Sequence, residues 1–101
     1  MNGREERKQL VVVAEDNERL REALARLLAR KSWEVLWAYS TAEALKLLAT
    51  TAPDAVILGL CLPNGNGMAV LRAMRDLGNS VPAIIVTRFG SQQTVRDAME
   101  L

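Results

Sequence analysis

The feature that most constrains the fold of this chain is a regular alternation between short apolar runs and longer amphipathic segments. The apolar runs are rich in β-branched residues and cover residues 10–14, 34–38, 55–60 and 81–87. Runs of this length and composition are typical of strands that are buried on both faces. Because a helical segment follows each run, the sequence predicts βαβ units, a parallel sheet and helices on both of its faces.

The helical segments have recognisable ends. The polar residues 15–17 precede the first segment, residues 18–31, and can cap a helix. The second segment opens with Ser40 to Glu43, which form a capping-box pattern. The third segment ends at Gly78 and Asn79, which are suited to a helix C-cap. The fourth segment begins near Ser91.

Apolar positions recur with helical spacing in the first and third segments. They are Leu20, Ala23, Leu24, Leu27 and Leu28 in the first, and Val70, Leu71, Met74 and Leu77 in the third. The basic residues of the first helix are expected on its solvated face, namely Arg19, Arg21, Arg26, Arg30 and Lys31.

Length and composition limit the classes of function. The 101 residues are enough for one small domain, residues 1–101. The formal net charge of +1 gives no field that favours nucleic acid or an anionic membrane as partner. The absence of histidine and the single cysteine, Cys61, exclude a zinc site and a Cys/His nucleophile. Neither a signal peptide nor a membrane span is visible, so we expect a cytoplasmic protein.

Functional residues of open parallel sheets lie at the carboxyl ends of the strands. Here those ends carry the acid pair Glu15 and Asp16, then Gly59, then Thr87. Gly59 is unusual because a buried strand ends on a residue that has no side chain to offer. The acid pair could simply favour a helix N-terminus through the helix dipole. Residues 63–67 are better explained as a turn than as a phosphate loop, since they lack the lysine and Ser/Thr of a P-loop.

The sequence resembles the receiver domain of bacterial two-component response regulators. The matching stretches are VVVAEDN at 11–17, LGLCLPNGNG at 58–67 and IIVTRFG at 84–90, in the order and spacing of that family. The resemblance implies an α/β fold of the flavodoxin-like type, a doubly wound parallel sheet. Four βα units are present, and the fifth strand and helix of that family are missing from these residues.

The resemblance also implies roles at the carboxyl edge. Glu15, Asp16 and the backbone carbonyl of Cys61 would be ligands of Mg²⁺, which prefers hard oxygen donors. Thr87 would sense the phosphoryl group together with its neighbour Arg88. Gly59 would occupy the phosphoacceptor position, where it provides no nucleophile for the covalent intermediate. The site is therefore expected to be phosphorylation-incompetent and to bind Mg²⁺ weakly.

Two departures from the family pattern leave alternatives open. Arg88 stands where receivers usually carry a small residue, and it either folds towards Glu15 and Asp16, replacing the charge of the metal, or points into water. The fourth strand becomes an edge that invites pairing. Either the chain is a fragment of a longer protein, or a partner completes the sheet, such as a domain-swapped or edge-paired second copy.

The expected function is that of a signalling domain, not an enzyme. Its partners would be proteins: ancestrally a histidine kinase, and an output domain or dimer mate, contacted through the last helix and its neighbouring strand. Gly59 would be either native to a degenerate receiver or introduced by substitution. The alternatives are a domain on the same fold that binds a phosphate-bearing small ligand near residues 59–67, and a structural assembly fragment.

Overall fold

Strands and helices alternate along the part of the chain that the structure, a computed structural model, describes: residues 8–63 and 65–86. The main strands and helices are β1 (Leu10–Ala14), α1 (Glu18–Arg30), β2 (Glu34–Ala38), α2 (Thr41–Thr50) and β3 (Ala55–Gly59). After them come the short strands β4 (Cys61–Leu62) and β5 (Gly65–Asn66), then α3 (Gly67–Asp76) and β6 (Ala83–Val86). The fourth predicted helix, near Ser91, lies outside the described residues.

The described residues form a parallel sheet of four strands in the order β2-β1-β3-β6. The pairing of β1 with β3 aligns Val12 with Val56, and that of β3 with β6 aligns Ile57 with Ile84. The predicted fourth strand is shorter than expected at its beginning, because Pro82 has no amide hydrogen to donate to the ladder. The prediction of a parallel α/β sheet is confirmed.

Helices cover both faces of this sheet because successive strand residues point to opposite sides. On one face, Ala14, Val56 and Leu58 belong to a core cluster to which α2 and α3 contribute. On the other face, Val11, Val13 and Ile57 pack with side chains of α1. The doubly wound arrangement predicted from the alternation is therefore present.

Three apolar positions in the predicted stripes of the first and third helices are exposed. On α1, Leu24 and Leu28 pack against the sheet, whereas Ala23 and Leu27 face solvent, Leu27 with 55% exposure. On the other side, Leu77 is 84% exposed because α3 has already ended at Asp76. A helical apolar stripe therefore identified the right face, but its width was overestimated.

The helix ends follow the predicted chemistry with one difference. Asn17 Oδ1 accepts from the Leu20 amide at 2.9 Å, and Ser40 Oγ accepts from the Glu43 amide at 3.2 Å. The return bond of the second cap goes to the Tyr39 amide, at 3.5 Å from Glu43 Oε2, and not to the Ser40 amide expected in a capping box. No helix in the described residues is long and apolar enough to cross a membrane.

The turn between α3 and β6 positions the edge strand. Gly78 has a φ of +81°, and the Asn79 amide donates back to Met74 O at 2.9 Å, as in a Schellman motif. Arg75 Nη1 then donates to the carbonyl oxygens of Asn79 and Val81, each at 2.9 Å. One guanidinium thus joins the end of α3 to the residues that lead into β6.

Replacing Arg75 with methionine is expected to lower the free energy of unfolding by about 1–3 kcal/mol, because these carbonyl oxygens lose a charged donor. Urea denaturation followed by circular dichroism measures the change. Arg72→Met is the matched control, since Arg72 is exposed on the same helix. Equal losses in both variants would show that the Arg75 contacts contribute nothing specific.

Candidate functional site at the carboxyl edge of the sheet

The carboxyl edge brings together residues that are far apart in the sequence. The register of β1 with β3 pairs Ala14 with Leu58, so the next residues, Glu15 and Gly59, are neighbours across the two strands. Gly59 in turn pairs with Val86, the last described residue of β6. The predicted convergence of Glu15 and Gly59 is therefore present. Thr87 and Arg88 lie outside the described residues, and their roles stay predictions.

Glu15 is a buried acid that is held by several contacts. Its side chain and backbone together are only 6% exposed. Its Oε2 atom accepts a hydrogen bond from the Asn17 amide at 2.8 Å, while its own amide donates to Ala38 O at 3.1 Å. Both the backbone and the carboxylate of Glu15 therefore have defined positions at the strand end.

Gly59 is buried, and the space beside its Cα is already taken. A Cβ atom built on Gly59 would collide with Glu15 Oε1 and would lie 3.0 Å from Glu15 Cδ and 3.2 Å from Ala14 O. A side chain at position 59 would begin at this point. The carboxylate of Glu15 thus occupies the volume from which a side chain of residue 59 would extend.

Residues 61–66 form a small structure that the sequence did not reveal. The segment 63–67 was predicted to be a turn, but β4 and β5 pair antiparallel, with Cys61 opposite Asn66. Asn66 then caps α3, because its Oδ1 accepts from the Ala69 amide at 2.9 Å. The pattern Asn-Gly before an apolar helical stripe was the signal for this cap.

Gly67, the first residue of α3, packs directly on the backbone at Gly59. Its amide donates to Leu60 O at 3.0 Å. A Cβ atom on Gly67 would collide with Gly59 O and would lie 3.1 Å from both Gly59 C and Leu58 Cβ. The site therefore depends on two glycines in contact, of which sequence reasoning singled out only Gly59.

The other predicted metal ligands lie at the surface. Asp16 is exposed directly after Glu15, and Cys61 is exposed as a free thiol at the start of β4. Within residues 8–63 and 65–86, no group of three or more His, Cys, Asp and Glu residues is placed to hold a metal ion. Mg²⁺ needs an octahedral set of oxygen ligands. Glu15, Asp16 and the Cys61 carbonyl are oxygen donors of the kind that this ion takes, but Glu15 is directed towards Gly59 and Asn17, and their roles as metal ligands stay predictions.

Arg21 belongs to this edge, although it was predicted to lie on the solvated face of α1. It is half-buried, its guanidinium lies 4.7 Å from the centroid of the Tyr39 ring, and its Nη1 donates to Glu15 O at 3.4 Å. The prediction was wrong because side chains of a helix lean towards its N-terminus. That geometry brings a residue of the first turn back over the strand end.

A cleft of about 600 Å³ opens beside this edge, between the β4–β5 ribbon and α3. Of the described residues that line it, Arg72 is the one basic residue, and the others are uncharged: Leu60, Cys61, Gly65, Asn66, Met68 and Ala69. A phosphate-binding site usually presents several donors or a glycine-rich loop with a lysine. The cleft therefore gives little support to the small-ligand alternative.

The family model and similar curated proteins point to the same protein family. The family model for the response regulator receiver domain matches residues 11–101. The response regulator MprA of Mycobacterium sp. (strain KMS) is 35% identical over 77 residues, which are 76% of this chain and 34% of that protein. MprA of Mycobacterium ulcerans is 32% identical over the same length. The chain thus spans about a third of the length of these curated relatives.

Solved structures agree with this result. The non-phosphorylated HemR receiver domain from Leptospira biflexa superposes with a TM-score of 0.78 at 31% identity, over 91% of this chain and 75% of that one. The MaeR response regulator bound to beryllium trifluoride has a TM-score of 0.78 at 25% identity, over 92% and 78% of the two chains. The first is a receiver domain and the second a response regulator, and this chain has the flavodoxin-like arrangement of receiver domains.

Gly67→Ala is expected to lower the free energy of unfolding by about 1–3 kcal/mol through overpacking. The added methyl group meets the backbone of Gly59, which has little room to move, and this outweighs the gain of up to about 1 kcal/mol in helix propensity. Urea denaturation measures the effect. Ala69→Ser, at an exposed position of the same helix, should change stability by no more than about 0.5 kcal/mol. A Gly67→Ala protein as stable as the wild type would contradict the close contact.

Proposed function

This chain belongs to the response regulator receiver family, and from that membership we propose that it is a signalling module that does not take up a phosphoryl group. It is the receiver domain of a two-component response regulator. The observation that carries the proposal is Gly59, which ends β3 at the phosphoacceptor position and is buried against Glu15.

The missing acceptor removes the chemical step itself. Transfer to a receiver requires a carboxylate that forms a covalent bond to phosphorus. Glycine has no such group, and neighbouring acids cannot replace it without occupying the same place in the same orientation. The Glu15 carboxylate comes near that place, but its Oε2 is engaged with the Asn17 amide at 2.8 Å. The frame of the site is retained without its nucleophile.

Weak binding of Mg²⁺ follows from the same loss. Receiver domains generally bind Mg²⁺ at the phosphorylation site. When bound, the ion neutralises charge on the transferring group. In this chain Glu15, Asp16 and the carbonyl of Cys61 are the candidate ligands, and the side chain of residue 59 contributes none. We therefore propose that the metal site is vestigial and its affinity for Mg²⁺ reduced, and that Thr87 and Arg88 are the residues that would sense a phosphoryl group.

The remaining capacity of such a domain is contact with other proteins. Receiver domains of this family interact with histidine kinases and output domains. Among the described residues, β6 is an edge of the sheet. Its Ile84 pairs with Ile57 and so lies on the face against which α1 packs, but Ile84 itself is 58% exposed. An exposed apolar edge strand favours pairing with another chain. We propose a second copy of this chain as the partner, because a net charge of +1 gives little repulsion between copies.

The phosphoacceptor proposal is tested by restoring the carboxylate. In the full-length protein, Gly59→Asp is expected to gain one phosphoryl group from a small phosphodonor with Mg²⁺, whereas the wild type gains none. Intact-protein mass spectrometry measures the uptake. The same substitution should tighten Mg²⁺ binding in a calorimetric titration, because it adds an anionic oxygen ligand.

Gly59→Asn is the matched control, since it has nearly the same shape as aspartate but offers no nucleophilic carboxylate. Phosphoryl uptake by the wild type or by Gly59→Asn would show that another residue is the acceptor. A folded Gly59→Asp protein that takes up no phosphoryl group would show that loss of the acceptor is not the reason for inactivity.

The pairing proposal predicts that Ile84→Lys weakens self-association at least tenfold, because a charge on the edge strand opposes pairing. Sedimentation velocity over a range of concentrations measures the effect. Leu77→Lys is the control, since Leu77 is 84% exposed beyond the end of α3 and is not part of β6. A wild-type chain that stays monomeric at the highest concentration would contradict the proposal.

A further inference from the structure

We propose that Glu15 is an internal plug for the acceptor position: its carboxylate fills the space left by Gly59 and holds the carboxyl edge in one arrangement. The inference rests on the proposed function only in naming position 59 as the acceptor position. Glu15 is here a positioning residue, because it acts on the site by occupying it. The physical coupling between residues 15 and 59 stands on contacts alone.

The Glu15 carboxylate and a side chain at position 59 would need the same volume. A Cβ atom on residue 59 would collide with Glu15 Oε1 and would approach Glu15 Cδ to 3.0 Å. Carbon atoms at van der Waals contact are about 3.5–4.0 Å apart. Any residue other than glycine at position 59 therefore requires the Glu15 carboxylate to move. Gly59 and the inward position of Glu15 are mutually dependent.

A hydrogen bond and burial hold the Glu15 carboxylate beside Gly59. The carboxylate is the end of a flexible side chain, so space alone would let it swing away. Its Oε2, however, accepts from the Asn17 amide at 2.8 Å, and the residue is 6% exposed. Hydrogen bonds to charged groups are stronger than neutral ones, and a partly buried amide that loses its partner destabilises the fold. Expelling Glu15 therefore breaks a specific bond at the entrance to α1.

The direction of the Glu15 carboxylate changes what the site offers to a cation. A carboxylate directed towards Gly59 is not presented towards solvent beside the exposed Asp16, where an incoming cation would meet it. The same residue that the family pattern assigns to metal binding is thus used as a packing element. Loss of the acceptor side chain and inward placement of Glu15 act together to close the site.

A simpler reading is that Glu15 only satisfies the Asn17 amide, with no dependence on residue 59. The two readings differ in what Gly59→Ala does. If Glu15 fills the acceptor space, the added methyl group breaks the hydrogen bond to Asn17. If Glu15 is only a local cap, the Asn17 amide keeps its bond.

Amide hydrogen exchange measured by NMR separates the two readings. In Gly59→Ala, exchange at the Asn17 amide is expected to become about tenfold faster, the loss expected when one charged hydrogen bond is broken. The Leu20 amide, bonded to Asn17 Oδ1 at 2.9 Å, is the internal control and should keep its protection. Unchanged exchange at Asn17, or equal losses at Asn17 and Leu20, would overturn the proposal.

A double-mutant cycle supplies an independent test. Gly59→Ala is expected to lower the urea midpoint in the wild-type background and to lower it by less than half as much in the Glu15→Ala background. Glu15→Asp, one methylene shorter, should also relieve the effect while retaining the charge. Additive shifts, or a Gly59→Ala chain that unfolds in all backgrounds, would contradict the coupling. These measurements use no phosphodonor, so their outcome is independent of whether Gly59→Asp is phosphorylated.

Discussion

The parallel pairing of β1 with β3 is the interaction on which the rest of the site depends. Both strands are buried on both faces, so a slip of one residue would place side chains of the wrong size at close-packed positions, and packing specifies the register. That register aligns Ala14 with Leu58 and thereby places Glu15 beside Gly59. The buried acid, the absent side chain and the entrance to α1 are neighbours because of this ladder.

Close backbone contacts hold the carboxyl edge of the sheet at Gly59 and Gly67. Gly67 packs against the carbonyl of Gly59, and its amide is bonded to Leu60 O at 3.0 Å. These contacts involve main-chain atoms, so they do not need a side chain at position 59. The backbone arrangement at this edge therefore does not depend on a side chain at position 59, and the volume beside Gly59 is occupied by the Glu15 carboxylate.

The strands and most helix ends were predictable because they follow local rules. Apolar β-branched runs, the caps Asn17 and Ser40, and the Gly78 turn depend on residues close together in sequence. Local rules did not predict three other features. These are the exposure of Leu27, the contact of Arg21 with Glu15 O, and the β4–β5 ribbon. They depend on which neighbouring elements cover a helix face and on pairing across a turn, which local patterns do not encode.

The amino-acid sequence by itself determined that position 59 carries no nucleophile, since glycine has none in any conformation. It also determined the parallel α/β fold through the alternation of buried strands and amphipathic helices. Only the tertiary structure decided that the Glu15 carboxylate lies beside the Cα atom of Gly59 and that Gly67 packs on Gly59. Those facts depend on distances between atoms of separate strands and helices, and such distances exist only after the chain has folded.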